Sequence, residues 1–489
     1  MEDRLDLVGK LDEATRARRR FALDCTSPDD AKYSEATQNL VGLLSATAEW
    51  KACAFMQKIL LETRVEFGQA EQRHVDEVEQ ALEKIDPLNM ALIEEDRKLK
   101  INHDQLAVIE ELGRYVSPET KALLHPGTTS YDILDTVRAY LFRRAWSTTI
   151  RPEIAKPIEF LCGLSERSME ILQVGRTHLQ RTSPILFGGM LAGYAARLAE
   201  RVERCDSYFA NLKGKASGIV GTGASIDMVI GQGKSLDFEK AFLAKLGLEP
   251  DLTATQIVQK EALADVGHGL TTLMHVLGDF ANDVRILYSS EINEVTSRDN
   301  AERLGGSSAD ATKDNPVQYE NMTGKAKIVE SGMCILYGMI SSDLQRDLRG
   351  SVMGRYQPQA MMVETYEAFR RLGKALPNLS INEDSIARNL QYVRNNPSEA
   401  MVAILRGEGW SHTKYGVGHD FVKEIGKKSK KTGRKLFEVA REDGEFNIVY
   451  DSLPQHKRDI LLGGLEEYTG SSRERAQHNR EYARRVLVT

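Results

Sequence analysis

Cysteine is scarce: Cys25, Cys53, Cys162, Cys205 and Cys334 are the only five in 489 residues, widely scattered and without a C-x-x-C pair. A zinc knuckle or dithiol redox centre therefore has no ligand pair to start from, and an odd set of distant thiols suits a reducing cytosol. Proline is scarce too, 13 residues with no Pro-rich or Gly-rich block, which argues against a long flexible linker. Long apolar runs are missing. The longest stretch free of charged residues, 182–196, is too short to span a bilayer. The N-terminal segment MEDRLDLVGKLDEATRARRR is charged and lacks an apolar signal core. No charge sign dominates: 65 Lys and Arg stand against 71 Asp and Glu, a net −6. That leaves no whole-chain electrostatic case for nucleic acid or membrane as partners. A soluble, cytoplasmic protein with a core large enough to need no staples is the expectation.

What is abundant is helical periodicity. Leu263, Val266, Leu270, Leu273, Leu277, Phe280, Val284 and Leu287 alternate steps of three and four without a break or a proline. This is an a/d seam, the mark of a bundle of long helices. Its length suggests that several partner helices cover it. Leu186, Met190, Tyr194, Leu198 and Val202 predict a second long helix, and Ile133, Val137, Tyr140 and Leu141 a third. Strand patterns are few; the best candidate is a hairpin over 219–230, where glycines punctuate a β-branched run. After Leu376-Pro377 the helical segments shorten and Gly becomes frequent. The division expected is a helical N-terminal domain over 1–128, a central bundle over 129–375 and a helical C-terminal domain over 376–489.

Polar loops lie between the helices. Gly305 to Pro316, GGSSADATKDNP, reads as a surface turn, or as a loop that supplies a hydroxyl, a cation and an amide together to stabilise a carboxylate dianion. Arg176-Thr177-His178-Leu179-Gln180 places an imidazole among polar neighbours before a long helix; histidine is the usual general acid near neutral pH. Asn102-His103-Asp104 reads either as a catalytic pair or as a helix start. Two other runs are set aside. Gly231-Gln232-Gly233-Lys234-Ser235 imitates a phosphate loop, but the first glycine of that motif would fall on Met228. The basic run Lys427 to Lys431 reads as a solvated face in an acidic chain.

Taken in order along the chain, these loops resemble the aspartase/fumarase superfamily of fumarate-releasing lyases. Its diagnostic run is Gly-Ser-Ser-x-Met-Pro-x-Lys-x-Asn followed by Glu. Gly306, Ser307, Ser308, Lys313, Asn315 and Glu320 fall in place, with Asp310-Ala311 for Met-Pro. Within the superfamily the resemblance is to the adenylosuccinate lyase family. Ser27-Pro28-Asp29-Asp30-Ala31-Lys32-Tyr33 is similar to its N-terminal motif, with Lys32 for Arg. Asn102-His103-Asp104, His125 to Ser130, Thr177-His178 and Thr255-Gln256 match its loops, with Lys260 where Arg is usual. Gln345 to Arg355, with Arg346, Ser351 and Arg355 at the expected offsets, resembles its nucleotide-binding run.

The resemblance implies an all-α fold whose central bundle assembles as a homotetramer with active sites shared between chains. It implies β-elimination of fumarate from adenylosuccinate and from the succinylated aminoimidazole carboxamide ribotide, with no metal and no organic cofactor. Ser307 would be the base, His178 the acid, and His103 and Lys313 would support catalysis. Lys32, Tyr33, Asp104, Thr129, Ser130, Thr177, Gln256, Ser308, Asn315, Arg346, Ser351 and Arg355 would bind the small-molecule nucleotide substrate. A divergent lyase acting on another succinylated amine or a carboxymuconate-type acid is the alternative, against which the run from Arg346 to Arg355 speaks. A helical structural or lens-type protein that kept the fold is a third reading, against which Ser307, His178 and Lys313 speak.

Overall fold

Apolar spacing of three and four residues builds helices, and helices carry nearly all the regular structure of the computed structural model, which describes residues 12–24, 32–298, 310 and 312–488. In chain order the helices that shape the site are α1 (Ala46–Glu66), α2 (Asp104–Gly113), α3 (Ser130–Ala145), α4 (Phe187–Ala210), α5 (Glu261–Tyr288), α6 (Val317–Ile340), α7 (Arg349–Gly354), α8 (Gln357–Ala375) and α9 (Glu383–Asn395). Short antiparallel ladders accompany them: β1 (Leu172–Thr177) with β2 (Gln180–Leu186), and β3 (Val295–Ser297) with β4 (Leu379–Ile381). The class is all-α. No described helix is long and apolar enough to cross a membrane. None of the described cysteines is joined in a disulfide.

The chain forms two compact units. The first comprises 1–154, 202–274 and 325–370; the second comprises 155–201, 275–324 and 371–489. In the first, glycines let helices approach closely. A Cβ on Gly267 of α5 would stand 2.2 Å from Leu336 of α6 and 3.4 Å from Met361 of α8. In the second, Tyr194 of α4 meets Phe280 of α5 edge-on at 5.2 Å, and Phe280 meets Tyr319 of α6 at 6.5 Å. The short helices beyond 376 enclose their own core, with Met401, Leu405, Phe421, Phe446 and Leu461, which Val174 of β1 joins.

Two expectations are corrected. The chain itself buries Val266, Leu270, Leu273, Leu277, Phe280, Val284 and Leu287, and Leu263 is half-buried. The length of the seam therefore gives no argument for partner chains. The hairpin expected over 219–230 is a glycine-rich loop followed by the helix Ala224–Ile230. Ile226 and Ile230, four apart, are 1% and 2% exposed, while Met228 between them is 75% exposed. That is one face of a helix, and alternation would have buried Met228 as well. A hairpin forms instead at β1–β2, in a stretch read only as a polar loop. Its strands mix the β-branched Val174, Thr177, Thr182 and Ile185 with Gln, Gly, Arg, Ser and Pro, so propensity alone gives a weak signal, and burial of Val174 in a core adds to their stability.

Candidate active site

A cavity of about 530 Å³ in the first unit gathers many of the predicted residues: His103, Asp104, Ser130, Arg346, Ser351 and Arg355 line it, with Glu94, Tyr131 and Arg138. His103 is the N-cap of α2. Its Nδ1 accepts the Leu106 N–H at 3.4 Å and its Nε2 lies 3.2 Å from Ser130 Oγ. Accepting at Nδ1 leaves the proton on Nε2, so the ring donates to Ser130. The helix-start reading of Asn102-His103-Asp104 is thus correct, and the same imidazole also faces the cavity.

Ser130 opens α3, and Thr129 is spent as its N-cap, in a reciprocal capping box with Asp132. Asp132 is fully buried and paired with the equally buried Lys215. It also accepts the N–H groups of Ser217 and Gly218, at 3.1 and 3.2 Å. Next to it, Glu239 accepts the Ala216 N–H at 2.6 Å, and burial pushes its carboxyl up. This knot ties the 215–218 loop to the end of α3 that faces the cavity. Gly127, at φ +79°, makes the adjoining turn, and its carbonyl accepts the Ser225 hydroxyl at 2.6 Å. His125 in that turn is half-buried against Gln57 and Thr128, and the loss of water around it pushes its imidazole down to about 4.

On the opposite wall, Arg346 lies over the Tyr131 ring at 3.9 Å, and its Nη1 donates to Gln256 Oε1 at 3.1 Å. Stacking and hydrogen bonding fix the guanidinium while leaving further donors for an anion. Arg138 is held by a two-pronged contact with Glu49 at 3.1 and 3.2 Å. Burial, then Asp104, pushes the Glu94 carboxyl up, and Arg355 and His103 partly offset this. Lys260 is engaged: its Nζ donates to Asp135 at 2.7 Å beside a smaller neighbouring cavity. Lys32 is exposed, and Tyr33 lies against Lys325, whose Nζ is 4.5 Å from its ring; neither lines the cavity.

Thr177, His178, Lys313 and Asn315 belong to the second unit. Thr177 and Gln180 close a two-residue turn in which His178 and Leu179 have φ +52° and +60°. Two consecutive L residues in that region cost on the order of 1–2 kcal/mol each. Both side chains are exposed, and His178 has no hydrogen-bond partner among the described residues. Such strain persists only where the surroundings enforce it. Here the stem does so. Gly175 sits at a bulge, where a Cβ would meet the Ser183 carbonyl at 2.7 Å. Arg176 forks onto the buried Glu294.

Ser307 and Ser308 lie outside the described residues, as do Gly305, Gly306 and Ala311. Beyond them Asp310 caps a turn, accepting the Thr312 hydroxyl at 2.8 Å and the Thr312 N–H at 3.0 Å. The hydroxyl first, then the amide, hold its carboxyl below the usual range. That answers what the carboxylate in place of the usual Met does locally. The Tyr288 hydroxyl joins the two flanks of the loop: it donates to Asp314 at 2.5 Å and accepts the Ser297 N–H at 3.1 Å. Asp314 stands between Lys313 and Asn315. Sequence reasoning missed Tyr288, Glu294, Arg138 and the Lys215–Asp132 pair; their partners lie far along the chain or in stretches that no motif marks.

A family model described as Lyase matches residues 24–330, well over half of the chain. The adenylosuccinate lyase of Pyrococcus abyssi is 29% identical over 381 residues, covering 77% of this chain and 80% of that one. That of Archaeoglobus fulgidus is 25% identical over 467 residues, covering 94% and 99%. Among solved structures, the 3-carboxy-cis,cis-muconate lactonizing enzyme of Pseudomonas putida aligns with a TM-score of 0.75 at 20% identity, covering 92% of this chain and 97% of that one. A fumarate lyase from Mesorhizobium sp. BNC1 aligns with 0.75 at 21%, covering 91% and 97%. At those identities the two structures share the fold.

Proposed function

We infer, from the premise that this chain belongs to the lyase family and with it to the aspartase/fumarase superfamily, that it cleaves adenylosuccinate to AMP and fumarate. The same β-elimination would act on the succinylated aminoimidazole carboxamide ribotide. The observation that carries this reading is the 530 Å³ cavity, where Arg346, Arg355, Ser351 and Ser130 converge with His103. Guanidinium forks and hydroxyls suit a nucleotide monophosphate, which needs several donors around one anion.

In this reading Ser307 removes the proton from the carbon beside the succinyl carboxylate. The electron pair left behind moves onto that carboxylate, which becomes a dianion. Lys313 and Asn315 hold it, with Ser308 and Thr177 alongside; preorganised donors of this kind are worth about 3–4 kcal/mol each. Collapse of the dianion forms the carbon–carbon double bond and breaks the C–N bond. The departing nitrogen takes its proton from His178. A serine base needs its alkoxide stabilised, which Lys313 and loop amides would supply. His103, Asp104 and Gln256 orient the nucleotide. Lys32 and Tyr33 approach its phosphate.

Assembly as a cytoplasmic homotetramer with shared sites belongs to the same proposal. Its support is the outer face of α6, where Ile328 and Ile335, seven residues apart, are exposed with Gly324 and Ser331 between and beside them. The three-part division at 128 and 375 belongs to the same proposal, and the turn Leu376–Asn378 supports its second boundary alone. The deciding experiment incubates the purified chain with adenylosuccinate and follows fumarate. Turnover of a carboxymuconate or another succinylated amine, with none of adenylosuccinate, would replace this reading with the divergent one.

A further inference from the structure

We infer that Glu294 is a positioning residue for His178: it holds the strand that leads into the turn carrying the imidazole and so sets where the proton is delivered. The inference rests on the reading of His178 as the general acid.

Glu294 is fully buried, and its carboxylate is saturated by donors. Arg176 reaches it with Nη2 at 2.6 Å and Nη1 at 3.2 Å, Gln173 with Nε2 at 2.5 Å and Asn389 with Nδ2 at 2.9 Å. Its backbone is held as well. The N–H donates to the Leu287 carbonyl and the C=O accepts the Asn382 N–H, both at 2.9 Å. Asn389 also donates to the Ile292 carbonyl at 2.8 Å. The carboxylate thus binds β1 and α9 together, and the backbone of the same residue ties on the end of α5.

A buried charge is a costly way to pack a core, and apolar residues of equal volume do it as well. What the ion pair adds is direction, because a two-pronged guanidinium–carboxylate contact fixes a plane. Arg176 lies two residues before His178, near the end of the strand that leads into its turn. The turn at His178 and Leu179 is strained, and the imidazole has no partner among the described residues to correct its aim. Within the chain its position is therefore inherited from the stem, and Glu294 is the buried polar anchor of that stem.

The test compares wild type, Glu294→Gln and, as a milder lesion, Asn389→Ala, each checked for helix content and assembly. Expected for Glu294→Gln is a kcat for adenylosuccinate cleavage about 100-fold lower, the scale of a small misplacement of a catalytic group, with KM within about threefold. For Asn389→Ala the loss is about 5-fold. In both, the solvent deuterium isotope effect on kcat rises, because proton delivery to the leaving nitrogen becomes slower. A lesion that only reduces the folded fraction leaves that isotope effect and KM unchanged. If Glu294→Gln does not fold, Asn389→Ala decides alone. Folded variants with kcat within twofold of wild type, or with an unchanged isotope effect, overturn the inference while the functional reading stands. A wild-type chain that releases no fumarate overturns that reading and the inference with it.

Discussion

Arg346 lies flat on Tyr131 and hydrogen-bonds Gln256, whereas His178 stands exposed on a strained turn with no partner among the described residues. The first is held directly and the second only through its stem. The difference matches two kinds of work. A cation that binds phosphate acts throughout the cycle, so locking its rotamer beforehand removes an entropic cost. An acid must hand a proton to a leaving group, and a standing internal hydrogen bond would compete with that transfer. Buried charge serves both regions at one remove: Asp132 with Lys215 behind the cavity, and Glu294 with Arg176 behind the turn.

The comparison breaks most sharply at His178. His178→Ala is expected to lower kcat by about 10²–10⁴-fold, the usual worth of a general acid, and to leave AMP affinity within about twofold. Calorimetry with AMP beside steady-state kinetics checks it. A parallel loss of AMP binding would mean that the turn and the cavity are not separable.

Next in size is the support of the cavity. Lys215→Met leaves Asp132 buried without its counter-charge, a lesion worth about 3–5 kcal/mol. The denaturation midpoint should fall markedly, with AMP binding lost before helix content. An unchanged midpoint would show that the pair stabilises nothing.

The turn beside the cavity should also be acid-sensitive. The His125 imidazole is pushed down to about 4 in the folded chain, below its ordinary 6.5. The unfolded chain therefore binds the proton first. Full stability is present above about pH 6.5, and up to ~3 kcal/mol is lost as pH falls towards 4. His125→Gln should flatten that limb of a stability-versus-pH curve, and an equally steep limb would assign it to other groups.

The smallest effect is expected at the loop flanks. Tyr288→Phe removes the hydroxyl between Ser297 and Asp314, worth about 0.5–1.5 kcal/mol per hydrogen bond. KM for adenylosuccinate should rise severalfold through Lys313 and Asn315, with AMP affinity unchanged. A rise in the AMP dissociation constant instead would place the effect in the wrong region.

Legibility in the sequence followed the range of the forces involved. The long helix of the 263–287 seam was readable because a three-and-four step is a local pattern that any helix must repeat. The β1–β2 hairpin was not, because Gly, Gln, Arg, Ser and Pro interrupt its β-branched residues and Val174 owes its place to a core built from residues 390–465. The 219–230 stretch misled for the converse reason: β-branched residues suggested a strand, and tertiary burial chose the face holding Ile226 and Ile230. Candidate site residues were named from motifs. Among them the cavity gathers His103, Asp104, Ser130, Arg346, Ser351 and Arg355, while Thr129 serves as a cap and Lys260 is taken up by Asp135.

By itself, the sequence determined the helical class, the order of the polar loops and the kinds of side chain they offer, because periodicity and composition are properties of neighbouring residues. Only the tertiary structure decided which of those side chains are tethered and by what. Glu294 meets Gln173, Arg176 and Asn389 across 121, 118 and 95 residues of chain. Asp132 meets Lys215 across 83. No local pattern marks such partners, since what joins them is the need of a buried charge for a counter-charge, a need that exists only once folding has removed the water around it.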